Sequence, residues 1–367
     1  MKVLFDHQIF TNQQYGGISR YFYELMLRFD GEKNTARSSV LFSNNEYLND
    51  NETLAAKPFF PGKNFRYKQS IQNAINTIKT NVELKQGDFH VFHPTYYNAY
   101  FLKHLKNKPF VVTFLDMIHE KYEHLYPELR VDKKIFANKR MLLERANKVI
   151  AISESTKQDI MDLYGVDGRN IDVVYLGSSL RLPEKDSASA FDFPYLLFVG
   201  IRASYKNFSL YLEAVAPILQ REKLALVCAG GGAFSSAEIS QIEKLGLNGL
   251  VHFRRIDNDA VLSNLYANAL AFVFPSLYEG FGIPVLEAFS TNCPILLSDG
   301  GSLKEVAGDA ALYFDGIDAE SMHNNLLQFL SDAALRQTLI KRGRERLKRF
   351  SWDHTYNETI KVYNSIL

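Results

Sequence analysis

Short runs of β-branched and aromatic residues alternate along the chain with longer stretches in which apolar residues recur at helical spacing. The runs Val3–Phe5, Ser39–Phe42, Val91–His93, Phe110–Phe114, Val149–Ile152 and Asp172–Tyr175 read as strands. Between them, Ser19–Phe29, Ile71–Thr80, Lys133–Ala146 and Ser155–Tyr164 read as helices. Strand and helix in regular alternation predict a parallel sheet covered by helices on both faces. The rhythm breaks at Gly177–Pro194, a polar stretch with two prolines and several small residues that reads as an interdomain linker. A second series then begins, with strands predicted at Tyr195–Val199, Ala225–Ala229, Val251–Phe253, Ala271–Phe274 and Ile295–Ser298. The pattern therefore predicts two doubly wound α/β domains in tandem, covering 1–180 and 190–352. Ligands of such domains bind at the carboxyl edges of the strands.

Composition narrows the class without changing that picture. With 367 residues, the chain suits two cores rather than one. Forty-two Lys and Arg against 41 Asp and Glu give a net charge of +1, which argues against a nucleic-acid binder. Residues 1–180 carry 24 cations and 20 anions, a surplus of +4, and the remainder carries 18 and 21, a deficit of −3. Cys228 and Cys293 sit in apolar runs, so a disulfide framework is not expected and a reducing compartment is. The opening MKVLFDHQIF places Asp6 and His7 where a signal peptide needs apolar residues. Apolar runs of about six residues fall far short of the ~20 needed to span a bilayer. The expectation is a cytoplasmic protein, in solution or bound peripherally at the inner face of the plasma membrane.

Three turns carry candidate chemistry. Glu279-Gly-Phe-Gly-Ile-Pro-Val-Leu-Glu287 follows an apolar strand pattern. Its glycines free a turn to present backbone N–H groups, and Pro284 suits the first turn of a helix. A turn opening a helix is an anion and hydroxyl site. Glu279 and Glu287 flank it, either to hold pairs of vicinal hydroxyls or simply as surface glutamates of a strand–turn–helix joint. Gly200-Ile-Arg202, followed by Lys206-Asn207, places two cations after the strand YLLFV, suited to a diphosphate or merely solvated. Tyr15-Gly16-Gly17-Ile-Ser-Arg20 opens a helix after the first strand, again in a phosphate-approach geometry, without the G-x-G-x-x-G dinucleotide fingerprint. Gly230-Gly231-Gly232 reads as a permissive turn that can also touch a ligand.

Taken together these segments are similar to a known family. EGFGIPVLE resembles the E-x7-E motif of family-four retaining glycosyltransferases, which have the GT-B fold of two Rossmann-like doubly wound domains facing a central cleft. GGISRY resembles the family's N-terminal glycine loop, AISESTKQDI its S-x-x-S/T segment, and VGIRASYKN its Gly-x-Arg…Lys-Asn element. FSWDHT resembles the start of the last helix, here 353–367, which in GT-B proteins crosses back to the N-terminal domain. DMIHE brings the chain nearest the bacterial mannosyltransferase-like branch that builds O-antigens and similar polysaccharides.

The resemblance implies that 1–180 binds the acceptor and 190–352 the nucleotide sugar, and it implies residue roles. Arg202 and Lys206 would grip the donor diphosphate, with Gly16 and Gly17 also approaching the donor. Glu279 would hold hydroxyls of the transferred sugar, and the backbone of Gly280, Phe281, Gly282 and Ile283 would contact sugar and phosphate. Glu287 would bind the ribose, with the base near Arg255 and Ile256. Many relatives carry Thr-x-His-Asp at the end of an N-domain strand; here the segment is Thr113-Phe114-Leu115-Asp116, so a leucine stands where the histidine would be. Asp116 and His119 become the polar catalytic candidates facing the sugar, Asp116 alternatively capping the next turn and His119 alternatively structural. Asp257-Asn258-Asp259 matches the D-x-D metal motif of the other major glycosyltransferase fold, but its place before a helical run reads as helix capping, and no metal or other cofactor is expected.

The implied reaction is same-face, retaining transfer of a hexose, mannose from GDP-mannose by resemblance, to a glycan or lipid-linked glycan acceptor. A sugar-nucleotide epimerase, an NAD oxidoreductase and a non-catalytic sugar-binding protein are the rival readings. Lys57–Lys68 mixes four cations with Phe59, Phe60, Phe65 and Tyr67, read either as a patch for weak contact with an anionic membrane or as a surface loop with inward aromatics.

Overall fold

The computed structural model describes every residue except 30, 50–53, 55, 184–188 and 203. The chain divides into two compact units. The first takes in Met1–Glu120, Val131–Leu176 and Trp352–Leu367, and the second Lys121–Arg130 and Gly177–Ser351. The segment Lys121–Arg130 thus clusters apart from the rest of the continuous 1–180 domain that the sequence pattern implies. Residues 184–188 of the expected linker lie outside the described residues. Its flanks pack on the second unit, where the Phe193 ring stacks on His252 at 4.9 Å and Phe191 meets Tyr195 edge-on at 5.4 Å.

The first unit holds two parallel three-stranded ladders, one ordered β2-β1-β3 and one β4-β5-β6. The strands are β1 (Lys2–Phe5), β2 (Thr35–Ser38), β3 (Val91–His93), β4 (Val111–Phe114), β5 (Lys148–Ala151) and β6 (Ile171–Val173). A parallel bridge between Phe92 and Phe110 joins them. β2 differs from the expected Ser39–Phe42. The Asn76 carboxamide oxygen accepts the Leu41 and Phe42 N–H groups, each at 3.0 Å, so those donors leave the ladder. The polar Thr35–Ser38 pairs with β1 instead, as an edge strand can. Leu4, Phe92, Phe114, Leu142 and Ile160 build the core.

The second unit is one parallel six-stranded sheet ordered β12-β11-β10-β7-β8-β9. Its strands are β7 (Tyr195–Val199), β8 (Ala225–Ala229), β9 (Val251–Arg254), β10 (Ala271–Phe274), β11 (Ile295–Ser298) and β12 (Leu312–Phe314). The order reverses between β7 and β10, which pair directly, and ligands bind at such a switch point. Both cysteines are buried and unbridged, and burial pushes the Cys228 thiol up to about 12. Among the described residues, no helix is long and apolar enough to cross a membrane.

The helix Trp352–Asn364 completes the first core. Its Tyr363 hydroxyl lies 2.6 Å from Nδ1 of buried His93, whose Nε2 meets Thr113 Oγ1 at 2.9 Å. Burial pulls the His93 pKa down from 6.5 to about 3. Between those values the unfolded chain binds a proton that the folded chain refuses, so stability falls as pH drops below 6.5. The slope from this group approaches 1.4 kcal/mol per pH unit, roughly one proton. Urea titrations of wild type and His93→Gln from pH 7 to 4 are expected to show a shallower acid loss in the variant; parallel slopes would refute the assignment.

Candidate donor site

At the switch point the sequence motif meets the loop after β7. The loop after β7 carries Lys206 and the loop after β10 carries Glu279, and the Leu277 N–H donates to the Tyr205 carbonyl at 2.8 Å to tie the loops together. Lys206 Nζ and a Glu279 carboxylate oxygen lie 2.5 Å apart, both side chains largely shielded. The Lys206 ammonium also lies over the Phe274 and Tyr205 rings, at 5.3 and 5.1 Å. Cation and carboxylate therefore neutralise each other at the mouth of the glycine turn.

Gly282 caps the helix Ile283–Ser290 at φ 92°, and a Cβ there would fall 2.9 Å from Leu303 Cδ2. Pro284 lies in the first turn of that helix, where its missing N–H costs nothing. The Phe281 side chain is buried against Phe350, so this residue offers a ligand its backbone only. Glu287 is 8% exposed and accepts from the Tyr266 hydroxyl at 3.1 Å, a fixed carboxylate one turn into the helix.

Arg202 is engaged by its own unit. Its Nε donates to Glu238 at 2.5 Å, and its terminal nitrogens donate to the carbonyls of Gly230, Gly232 and Ala233 at 3.2, 2.9 and 3.1 Å. The guanidinium lies 4.8 Å over Phe234. It thereby fastens the loop after β8, in which Gly230, Gly231 and Gly232 all have left-handed backbone. A Cβ on Gly231 would reach 2.4 Å from the Gly200 carbonyl oxygen, so the loops after β7 and β8 touch only because glycine stands there. Ile256 reaches the same loop, its Cδ1 3.2 Å from where a Gly230 Cβ would sit. Asp257 pairs with Arg255 at 2.9 Å, Asn258 caps the helix Asp259–Asn268 through the Val261 N–H, and Asp259 lies in its first turn. Among the described residues, no three His, Cys, Asp or Glu side chains cluster closely enough to hold a metal.

One part of the site was not singled out in the sequence. Gly300-Gly301-Ser302, after β11, supports the Glu279 loop from below. The Ser302 hydroxyl and N–H both donate to the Glu279 carbonyl, at 3.0 and 3.2 Å. Gly301 has φ 59°, and a Cβ there would lie 2.6 Å from the Glu279 carbonyl oxygen. The Gly-Gly pair after an apolar strand was the available signal.

The remaining candidates belong to the first unit. Gly16 precedes the helix Gly17–Met26, with extended backbone and the Gln13 carboxamide close above it; that carboxamide accepts the Ser19 N–H at 3.2 Å. The Asp116 carboxylate accepts the Ile118 N–H at 3.2 Å, capping the short helix that carries His119. The Leu115 N–H donates to the Tyr97 hydroxyl at 3.1 Å. Beneath the loop, Lys139, 1% exposed, forms an ion pair with Glu120 at 2.8 Å and donates to the Asp116 carbonyl at 3.4 Å. The Tyr164 hydroxyl donates to the same glutamate at 2.9 Å, so the Asp116 loop rests on a buried, fully paired network.

Comparison with known proteins places this architecture. Residues 15–181 match the model described as Glycosyltransferase Family 4, and residues 183–346 that described as Glycosyl transferases group 1. The chain is 30% identical over 233 residues to O-antigen chain mannosyltransferase B of Escherichia coli, covering 60% of this chain and 61% of that protein. It is 28% identical over 242 residues to O-antigen chain mannosyltransferase RfbU of Salmonella typhimurium, covering 65% of each. The match thus spans less than two thirds of either relative. Among solved structures, sucrose-phosphate synthase from Thermosynechococcus elongatus superposes with a TM-score of 0.80 at 19% identity, over 100% of this chain and 98% of that one. Anabaena HepE in complex with UDP and glucose superposes at 0.77 and 15% identity, over the whole of both chains. Matched by two family models in tandem over nearly its whole length, and folded as these neighbours are, the chain belongs to the family-four glycosyltransferases of the GT-B fold.

Proposed function

We propose that the protein transfers a hexose, with retention, from a nucleotide sugar to a hydroxyl of a glycan or glycolipid acceptor in cell-surface polysaccharide synthesis. The observation that carries the reading is the Lys206–Glu279 pair, 2.5 Å apart at the switch point. An incoming diphosphate takes over the ammonium and releases the carboxylate to sugar hydroxyls, so one event arms both groups. Aligned N–H groups of the Gly280–Gly282 turn then meet the charge that develops on the leaving phosphate. The leaving phosphate accepts the acceptor proton on the same face, which accounts for retention without a protein nucleophile. Glu287, held by Tyr266, takes the ribose hydroxyls, and the base lies by Ile256. Phosphate charge is met by protein groups, so the reaction needs no metal. The mannosyltransferase relatives favour mannose, and GDP-mannose, as donor.

Calorimetry with GDP-mannose, UDP-glucose and UDP-N-acetylglucosamine, with and without a chelator, tests this. GDP-mannose is expected to bind most tightly, with chelator neutral. Lys206→Ala is expected to weaken binding about 10- to 100-fold, since a charge-assisted contact is worth roughly 1.5–3 kcal/mol. Dependence on manganese, or unchanged affinity in Lys206→Ala, would overturn the reading.

A further inference from the structure

The chain leaves the first unit after Glu120 and returns to it at Val131. The segment between, Lys121–Arg130, clusters with the second unit and forms a strap on it. Both ends are fastened. Next to its start, Glu120 is the partner of buried Lys139 and of the Tyr164 hydroxyl. Near its far end the Leu129 side chain is buried. Between them the Leu125 and Tyr126 N–H groups donate to the Tyr122 carbonyl, both at 3.0 Å, and the Leu129 N–H donates to that of Tyr126, also at 3.0 Å. His124, Leu125, Pro127 and Glu128 are exposed, whereas Lys121, Tyr122 and Tyr126 are half-buried.

The strap meets the second unit at Tyr278, the residue before Glu279. Tyr278 is 1% exposed. The Tyr122 ring lies 5.6 Å from the Tyr278 ring, tilted by 46°, and the Lys121 ammonium lies 5.0 Å over the same ring. Tyr126 stacks on Tyr122 at 6.3 Å, so the ring that meets Tyr278 is itself backed by a ring. The loop after β11 reaches the Tyr278 ring too, since a Cβ on Gly301 would lie 3.3 Å from its Cδ2. Contacts between rings are directional, because the ring quadrupole favours tilted and edge-on pairs over a sandwich. Tyr122 therefore orients Tyr278 as well as covering it.

That orientation bears on the reaction. In the free protein the Glu279 carboxylate is held by Lys206. Once a diphosphate takes over the ammonium, the place of the carboxylate depends on its backbone supports, Ser302 at its carbonyl and Tyr278 before it. A misplacement of about 1 Å in a reacting or positioning group can cost about 100-fold in rate. Tyr122 also ends the short helix Ile118–Tyr122 that Asp116 caps, so the Asp116 loop and the ring against Tyr278 share one support.

We propose that Tyr122 is a positioning residue for the transfer reaction, setting Glu279 for the sugar through the Tyr278 ring, an inference that rests on the sugar-holding role given to Glu279 above. It touches neither sugar nor phosphate. Its effect is confined to the sugar, because Lys206 and Glu287 meet the nucleotide independently of Tyr278.

Calorimetry with GDP and GDP-mannose on the full chain tests this, with thermal melts alongside. The readout is the ratio of the two affinities, which isolates the hold on the sugar. Tyr122→Ala is expected to weaken GDP-mannose about 2- to 10-fold, the range an aromatic pair is worth, with GDP affinity unchanged. Tyr122→Phe keeps the ring and is expected to behave as wild type. In a Glu279→Gln background, Tyr122→Ala is expected to change the ratio no further, since two residues acting through one carboxylate are not additive. Equal weakening of GDP and GDP-mannose by Tyr122→Ala would reduce the ring to general support of the loop and overturn the proposal. So would an unchanged ratio in Tyr122→Ala while Glu279→Gln lowers it, which leaves the role of Glu279 standing. Full additivity of the two substitutions would overturn it by giving Tyr122 a route that bypasses Glu279. A ratio that Glu279→Gln leaves as in wild type would remove the sugar role of Glu279 and this proposal with it.

Discussion

Glu279→Gln is expected to lower the rate of sugar transfer about 10- to 100-fold while leaving affinity for the bare nucleoside diphosphate unchanged or higher. The carboxylate lies 2.5 Å from Lys206 Nζ in the free protein and competes with phosphate for that ammonium. Glutamine keeps the shape but removes the charge, so the lysine meets the diphosphate with less opposition. The sugar loses a charge-assisted acceptor, worth roughly 1.5–3 kcal/mol. Glu287→Ala is expected to act the other way, weakening the bare nucleotide, because the carboxylate that Tyr266 fixes is the one proposed to take the ribose hydroxyls. Calorimetry with GDP beside steady-state transfer rates separates the two. If both substitutions lower nucleotide affinity equally, the division of labour is wrong.

The second large effect is steric. Gly300→Ala is expected to cost about 2–3 kcal/mol of stability, the upper part of the range for overpacking, and to remove most donor binding. Its Cβ would fall 2.2 Å from the Leu277 carbonyl oxygen and 3.1 Å from that of Ser276, both backbone atoms. No side-chain rotation relieves such a clash, so the strand-end loop that carries Glu279 must shift. Gly249→Ala is the control, because a Cβ there meets nothing within 4 Å although φ is 79°. Thermal melts and GDP titrations of both variants should show a comparable strain-level stability loss at Gly249 with GDP affinity intact. A Gly300 variant that binds GDP normally would show that the loop tolerates displacement.

What the sequence disclosed depended on how strongly each feature was marked in one dimension. β7, β8, β10 and β11 were legible to the residue, because a strand buried on both faces is a continuous apolar run between turns. β2 was misplaced by four residues because an edge strand has no such mark, and the decisive partner, Asn76, lies 34 residues from Phe42. β12, three residues long, was missed. Of the donor site, the segment Glu279–Glu287 was legible as a turn opening a helix. The commitment of Arg202 to Glu238 and the glycine-loop carbonyls was not, since it joins residues 28 to 36 apart. Gly300 and Gly301 were not singled out, because their purpose lies in what a Cβ would strike.

The helix Trp352–Asn364 has a consequence for how the protein is made. Synthesis runs at about 5–20 residues per second, and domains generally fold as units when they emerge. The second unit has all its strands once Phe314 is clear of the ribosome. The first unit, although translated earlier, still lacks Tyr363 against His93 and the whole of Trp352–Leu367. Its last helix arrives only after its neighbour has been produced, so the half of the protein synthesised first is the half finished last.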